Sequence, residues 1–293
     1  MSIVNIDEIK NNVVSNMKPI MEKQDIYIPG IVDQNIPSRN GFINLIVGSG
    51  GSGKTSLSLG MFVNKNMYRG KFDNIFYICP ENSFLSAVNH PFKDHDKVFH
   101  ELTVGLLEEI FQSLEAIKTS NEDKRLKKEE KKKNNKTHKG KKVGGYVDNP
   151  EPEDDVVSDD DDEEVIQYNC VFIDDFANEL KNVDIQKQLN KMLIKARHIC
   201  CAFIFTLQSY YYFPKMLRKQ ITNATIFKPK NIEEFVSIAK ELFNMKEEDA
   251  LTLFNYVFQK DYDHLDLDTW KNLYYRNFNA LDIQFQTRVA TKK

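Results

Sequence analysis

From Phe42 onward the chain alternates between short stretches that are apolar at nearly every position and longer ones whose apolar residues recur at helical spacing. The short runs predict buried strands at Phe42 to Val47, Asn74 to Cys79, Tyr168 to Ile173, Cys201 to Thr206 and Ala224 to Phe227. The three-to-four spacing predicts helices over Lys54 to Val63, Val104 to Ile117, Asp184 to His198, Ile232 to Phe243 and Glu247 to Gln259. Strands and helices that take turns in this way build an α/β fold, a mainly parallel sheet covered by helices on both faces. From Leu265 to Phe278 apolar and polar residues alternate singly, which predicts an edge strand or a hairpin. Residues 1–40 read as an appendage to a domain spanning 41–293: a short amphipathic helix near Ile3 to Met17, then an extended approach punctuated by Pro29, Gly30 and Pro37.

The pattern breaks between Asn121 and Glu164, where apolar residues almost vanish. Eleven Lys and Arg come first, from Lys124 to Lys142, and acidic residues crowd the stretch from Asp148 to Glu164. Too little apolar surface is available there to offset the entropy of ordering, so residues 121–164 are expected to be a disordered charged insertion that interrupts one domain. Ser158, ahead of four aspartates, has the setting of a kinase target. The 293 residues carry a net charge of −3, which singles out no class of partner. No apolar run approaches the length of a membrane span, and no signal-peptide core stands near Met1, so an intracellular setting is expected. Cys79, Cys170, Cys200 and Cys201 lack metal-site spacing and read as reduced thiols of the core.

The candidate chemistry starts where the first strand ends. Gly48, Ser49, Gly50, Gly51, Ser52, Gly53, Lys54 and Thr55 fit the pattern GxxxxGK[ST], with Ser56 continuing into a helix. Glycines let successive backbone N–H groups turn inward around phosphates, and the helix N-terminus adds a favourable dipole. Lys54 is then the ligand of the outer phosphates and the Thr55 hydroxyl a ligand of Mg²⁺. The strand Val171-Phe172-Ile173 ends in Asp174 and Asp175: the first is a candidate Mg²⁺ ligand, the second a candidate base for the attacking water, with Glu179 in reserve. The strand from Cys201 finishes in Thr206 and Gln208, polar residues at the edge where open parallel sheets bind ligands. If that strand lies between the other two, Gln208 faces the γ-phosphate and can sense hydrolysis. Arg197 and Arg218 flank it and are candidates for an arginine supplied to a neighbouring subunit; His198 reads as a packing or capping residue.

The succession GSGGSGKTS, VFIDDF and KARHICCAFIFTLQSYYYFPKMLRKQITNATIFKP resembles the FtsK/HerA superfamily of ring-forming DNA motors, and within it the genome-packaging ATPases of poxvirus-like large DNA viruses and virophages. The likeness covers about Gly41 to Leu242 apart from the insertion. It implies a RecA-like P-loop NTPase core of the ASCE class, with an extra strand between the phosphate-loop strand and the strand of the two aspartates. It also implies ATP and Mg²⁺ as cofactors, a homo-oligomeric ring threading double-stranded DNA, capsid or portal components as partners, and a site in the host cytoplasm or a virus factory. On this pattern Lys54, Thr55 and Asp174 bind phosphate and metal, Asp175 is the catalytic carboxylate, Gln208 the sensor, and Arg197 or Arg218 the trans-acting arginine. Many superfamily members carry Glu where Asp175 stands. Lys215, Arg218, Lys219, Lys228 and Lys230 are candidates for contact with DNA or a neighbouring subunit. Two other readings stand beside this one: a different phosphate-loop enzyme such as a kinase or GTPase, though no NKxD element is present, and a non-enzymatic nucleotide-dependent adaptor.

Overall fold

The computed structural model describes residues 27–32, 35–86, 89–138 and 166–283. The expected helix near Ile3 to Met17, the acidic half of the insertion and Ser158 lie outside them. Strands β1 (Ile43–Val47), β2 (Asn74–Ile78), β3 (Val98–Phe99), β4 (Asn169–Asp174), β5 (Cys201–Leu207), β6 (Asn223–Phe227), β7 (His264–Asp268), β8 (Leu273–Arg276) and β9 (Asn279–Leu281) form one sheet. Their order is β3-β2-β4-β5-β1-β6-β7-β8-β9. The six strands from β3 to β6 are parallel, and β7, β8 and β9 extend the sheet as an antiparallel meander. The hairpin expected near Leu265 to Phe278 is therefore present. Its second turn places Asn277 (φ 50) and Phe278 (φ 62) in the left-handed region, the geometry that matches the twist of a two-residue hairpin.

Every residue of β1, β4, β5 and β6 is buried, which explains why these segments read as continuous apolar runs. Alternate side chains serve opposite faces. Leu45, Val47, Phe203 and Phe205 join the larger core, packed by helices α3 (Val104–His138), α4 (Val183–Ile194), α6 (Ile232–Phe243) and α7 (Glu247–Val257). Ile46, Phe172, Ala202 and Ile204 join the smaller core under α1 (Lys54–Val63). Two short helices were not expected from the sequence, α2 (Glu81–Leu85) and α5 (Lys215–Arg218). Asn182 caps α4 by accepting from the Asp184 and Ile185 amides, and Asn231 caps α6 by accepting from the Glu233 amide. Truncating a fully enclosed residue such as Phe203 or Phe205 costs about 3–5 kcal/mol at such positions.

Helix α3 is longer than the expected Val104 to Ile117 and runs on through His138, taking in the Lys-rich start of the charged segment. Leu107, Ile110, Phe111 and Leu114 anchor its first turns in the core, and Lys195 pairs with Glu115 at 2.7 Å. Beyond them Lys, Glu and Arg are good helix formers that extend a helix already nucleated by packing. Asn121, placed in the insertion by composition, belongs to the body: it is buried, donates through Nδ2 to the Gln167 carbonyl and accepts from the Gln167 amide, both at 3.1 Å. This reciprocal pair joins the chain before the insertion to the chain after it.

Candidate nucleotide site

Strand β5 lies between β1 and β4, the arrangement that the motif resemblance implied. In register, Asp174 of β4 stands opposite Thr206 of β5, and Thr206 opposite Ile46 of β1. Three chain segments with chemistry therefore leave the sheet at one rim. The Gly48 amide donates to the Leu207 carbonyl and the Asp175 amide to the Thr206 carbonyl, each at 3.1 Å, so β5 tethers both neighbours past their last paired residues.

After Val47 the chain turns through the glycine-rich loop into α1. Gly48 is required by close approach, since a Cβ there would lie 2.5 Å from Ser52 Oγ and 2.7 Å from Phe227 Cβ. Gly53 caps α1 with φ 98, a left-handed conformation that other residues adopt at a cost. Lys54 folds back so that Nζ donates to the Ser49 carbonyl at 3.2 Å, and it is almost fully buried. Burial lowers its pKa, while Asp175 and Asp174 oppose that shift, which puts both acids within electrostatic reach of the ammonium. Thr55 and Ser56 are exposed on the first turn of α1. Ser52 Oγ is buried without a hydrogen-bond partner.

Asp174 is buried and accepts from the Thr206 hydroxyl through Oδ1 and from Tyr77 through Oδ2, the latter at 3.1 Å. The Cys79 thiol points at the same oxygen from 3.8 Å. Burial raises the Asp174 pKa, against the hydrogen bonds from Thr206 and Tyr77. Burial likewise pushes the Cys79 thiol up to about 12, despite its bond with Tyr77, and raises Tyr77, so both remain protonated donors. His90 Nε2 lies 3.3 Å from the Tyr77 hydroxyl. Tyr77, and Cys79 just past β2, were not among the expected site residues; the available signal was a tyrosine and a cysteine at the end of an otherwise apolar run.

Asp175 leaves the strand with φ 60, a left-handed conformation uncommon for a residue with a side chain and one that clusters at functional sites. Its Oδ2 accepts from Gln208 Nε2 at 3.0 Å. Gln208 then leads into a helical turn, Tyr210–Tyr212, with Tyr211 and Tyr212 exposed. Glu179 sits on an exposed turn beyond Asp175.

The two arginines fall elsewhere. Arg218 was expected to be exposed and able to reach another subunit; the structure corrects this. It is buried, donates through Nε to the Phe213 carbonyl at 2.8 Å, through NH1 to Glu241 at 3.0 Å and through NH2 to the Tyr210 and Tyr211 carbonyls, and stacks on the Tyr210 ring at 4.3 Å. Its guanidinium holds the loop after Gln208 in place. Arg197 is exposed, at the start of β5 and thus at the opposite rim, where with Arg39 and Trp270 it lines a cavity of about 360 Å³. Lys228 and Lys230 follow β6 at the loop's own rim, whereas Lys219 lines the distant cavity.

All four cysteines are buried. Among the described residues no three His, Cys, Asp or Glu side chains come together as a metal site. A Mg²⁺ ion here would therefore use one or two protein oxygens and the phosphates themselves, its usual habit. The buried, unpaired Ser52 hydroxyl, the Lys54 ammonium resting on a carbonyl and the enclosed Asp174 fit a polyanion with such an ion. Among the described residues no helix is long and apolar enough to cross a membrane.

Sheet order, glycine loop and paired acids together define a P-loop NTPase fold of the RecA-like type with the additional central strand. No family model and no curated protein sequence matches the chain. Solved structures do. The ATPase 2 and 3 portion of EssC from Geobacillus thermodenitrificans superimposes with a TM-score of 0.50 at 14% identity, covering 84% of this chain and 41% of that one. B204, the DNA-packaging ATPase from Sulfolobus turreted icosahedral virus, gives 0.47 at 16% identity, covering 84% of this chain and 99% of that one. The pCW3 conjugation coupling protein TcpA gives 0.49 at 12% identity, covering 90% and 66%. At 14% identity the likeness to EssC is one of fold.

Proposed function

We propose that this chain is an ATPase that moves double-stranded DNA, and that it packages a viral genome as a homo-oligomeric ring working with capsid or portal components. The observation that carries the reading is the hydrogen bond between Gln208 and Asp175, made across β5 and β4 beside the glycine loop. A kinase needs no residue that couples the water-activating acid to the γ-phosphate; a motor does. The motif resemblance supplies the choice of DNA and of packaging.

In this reading the loop amides from Ser49 to Ser56 and the Lys54 ammonium bind the phosphates of ATP, and Thr55 and Asp174 hold Mg²⁺, which supplies positive charge to the outer phosphates. Asp174 is kept in place by Thr206, Tyr77 and Cys79. Asp175 accepts a proton from the attacking water, and Gln208 orients that water or the γ-phosphate. When the γ-phosphate leaves, Gln208 changes partner and the exposed turn at Tyr210–Tyr212 moves with it. Arg197 is the arginine offered to the neighbouring subunit. Turnover should fall at least about 100-fold in Asp175→Asn, because Asn keeps the left-handed backbone and loses the base. The same variant should bind ATP as the wild type does. Undiminished phosphate release from Asp175→Asn would remove Asp175 from the chemistry.

A further inference from the structure

Tyr262 is 68% exposed, yet it precedes an aspartate that accepts four hydrogen bonds. Its ring lies flush against the end of the glycine loop: a Cβ at Gly53 would come within 3.0 Å of Tyr262 Cδ1 and 3.5 Å of Phe227 Cε1. Its backbone has φ 66, a conformation a tyrosine keeps only where the surroundings impose it. The next residue does the imposing. The Asp263 carboxylate accepts from the Gln259 amide at 3.1 Å, the Lys260 amide at 2.8 Å, Arg276 NH2 at 2.8 Å and Asn277 Nδ2 at 2.7 Å. Burial alone would raise its pKa; the bonds from Asn277, Arg276 and Lys260 outweigh that and hold the carboxyl well below the usual range. The turn before β7 is thus clamped to the hairpin of β8 and β9 while one strained residue presents an aromatic ring to solvent beside the loop.

Gly53 ends the loop where α1 begins, so the Tyr262 ring stands directly beside whatever the loop binds. An aromatic face fixed there costs no ordering when a base stacks on it. We propose that Tyr262 is the nucleobase platform of the site: its ring stacks on the base of the bound nucleoside triphosphate and favours purines, which offer the larger face. The inference rests on the reading of the loop as a nucleotide site and adds how the base is held.

The test compares binding of ATP, UTP and inorganic tripolyphosphate to wild type, Tyr262→Phe, Tyr262→Asn and Lys54→Ala, by calorimetry on the full chain. Asn tolerates the left-handed backbone, so Tyr262→Asn removes the ring and keeps the turn, which a thermal melt checks. Tyr262→Asn should weaken ATP about tenfold, narrow the preference for ATP over UTP, and leave tripolyphosphate within about twofold of wild type. Tyr262→Phe should behave as wild type. Unchanged ATP affinity in Tyr262→Asn, with ATP and tripolyphosphate both lost in Lys54→Ala, overturns the platform and leaves the phosphate site standing. Equal loss of ATP and tripolyphosphate in Tyr262→Asn also overturns it, because the residue would then be shaping the loop. If Lys54→Ala binds both ligands normally, the site itself is misread and the platform falls with it.

Discussion

Arg218 and Arg197 show how two residues of one type, on either side of one strand, come to different work. Arg218 spends its donors on three carbonyls and Glu241, and its stem and plane pack on Tyr210. Removing it leaves the Phe213 and Tyr210 carbonyls without their donor while the exposed Glu241 returns to water, so Arg218→Ala should cost about 2–3 kcal/mol in thermal or urea unfolding. Arg197 is exposed, and Arg197→Ala should shift stability by no more than about 0.5 kcal/mol. As the arginine proposed to act across subunits, it should matter only in assembled protein: turnover should drop steeply and recover when the variant is mixed with Lys54→Ala subunits, each supplying what the other lacks. Equal instability of the two variants, or no recovery on mixing, would contradict these assignments. From sequence the two arginines could not be separated, because one precedes and the other follows the same strand and burial depends on where Tyr210 and Glu241 arrive. The glycine loop, Asp174, Asp175 and Gln208 were legible because each follows directly on an apolar strand. Tyr77 and Tyr262 were not, since one is read only once β2 is known to pair with β4, and the other only once a tyrosine is seen at positive φ.

Among elements, the strands were the most legible and the long helix the least. A strand buried on both faces announces itself by composition alone, and β1, β4, β5 and β6 fall within about a residue of their expected bounds. The far end of α3 carries no apolar stripe, so nothing in its pattern distinguishes a solvated helix from an unstructured run. The Asn121 and Gln167 pair closes the insertion at its base. Replacing residues 123–165 with a short Gly-Ser linker should therefore leave folding and basal turnover intact, whereas Asn121→Ala in the full chain should cost about 1–2 kcal/mol. Thermal unfolding and phosphate release measure both; a linker variant that cannot fold would show that the charged segment is part of the domain.

Across the whole molecule the sheet separates two rims. Apolar strands carry the glycine loop, Asp174 and Asp175 to one, while the cavity with Arg39, Arg197, Lys219 and Lys271 marks the other. Strand order converts scattered motifs into a site, and a local pattern does not contain it: β5 lies between β1 and β4, although β2 and its neighbouring segments separate them in the chain. The central claim is that this site converts ATP hydrolysis into movement along DNA. Phosphate release by the assembled protein, measured with and without blunt double-stranded DNA, tests it most directly. Turnover should rise several-fold with DNA, lose that rise as salt increases, and disappear in Lys54→Ala. Turnover that depends on Lys54 but ignores DNA at every salt concentration would contradict it.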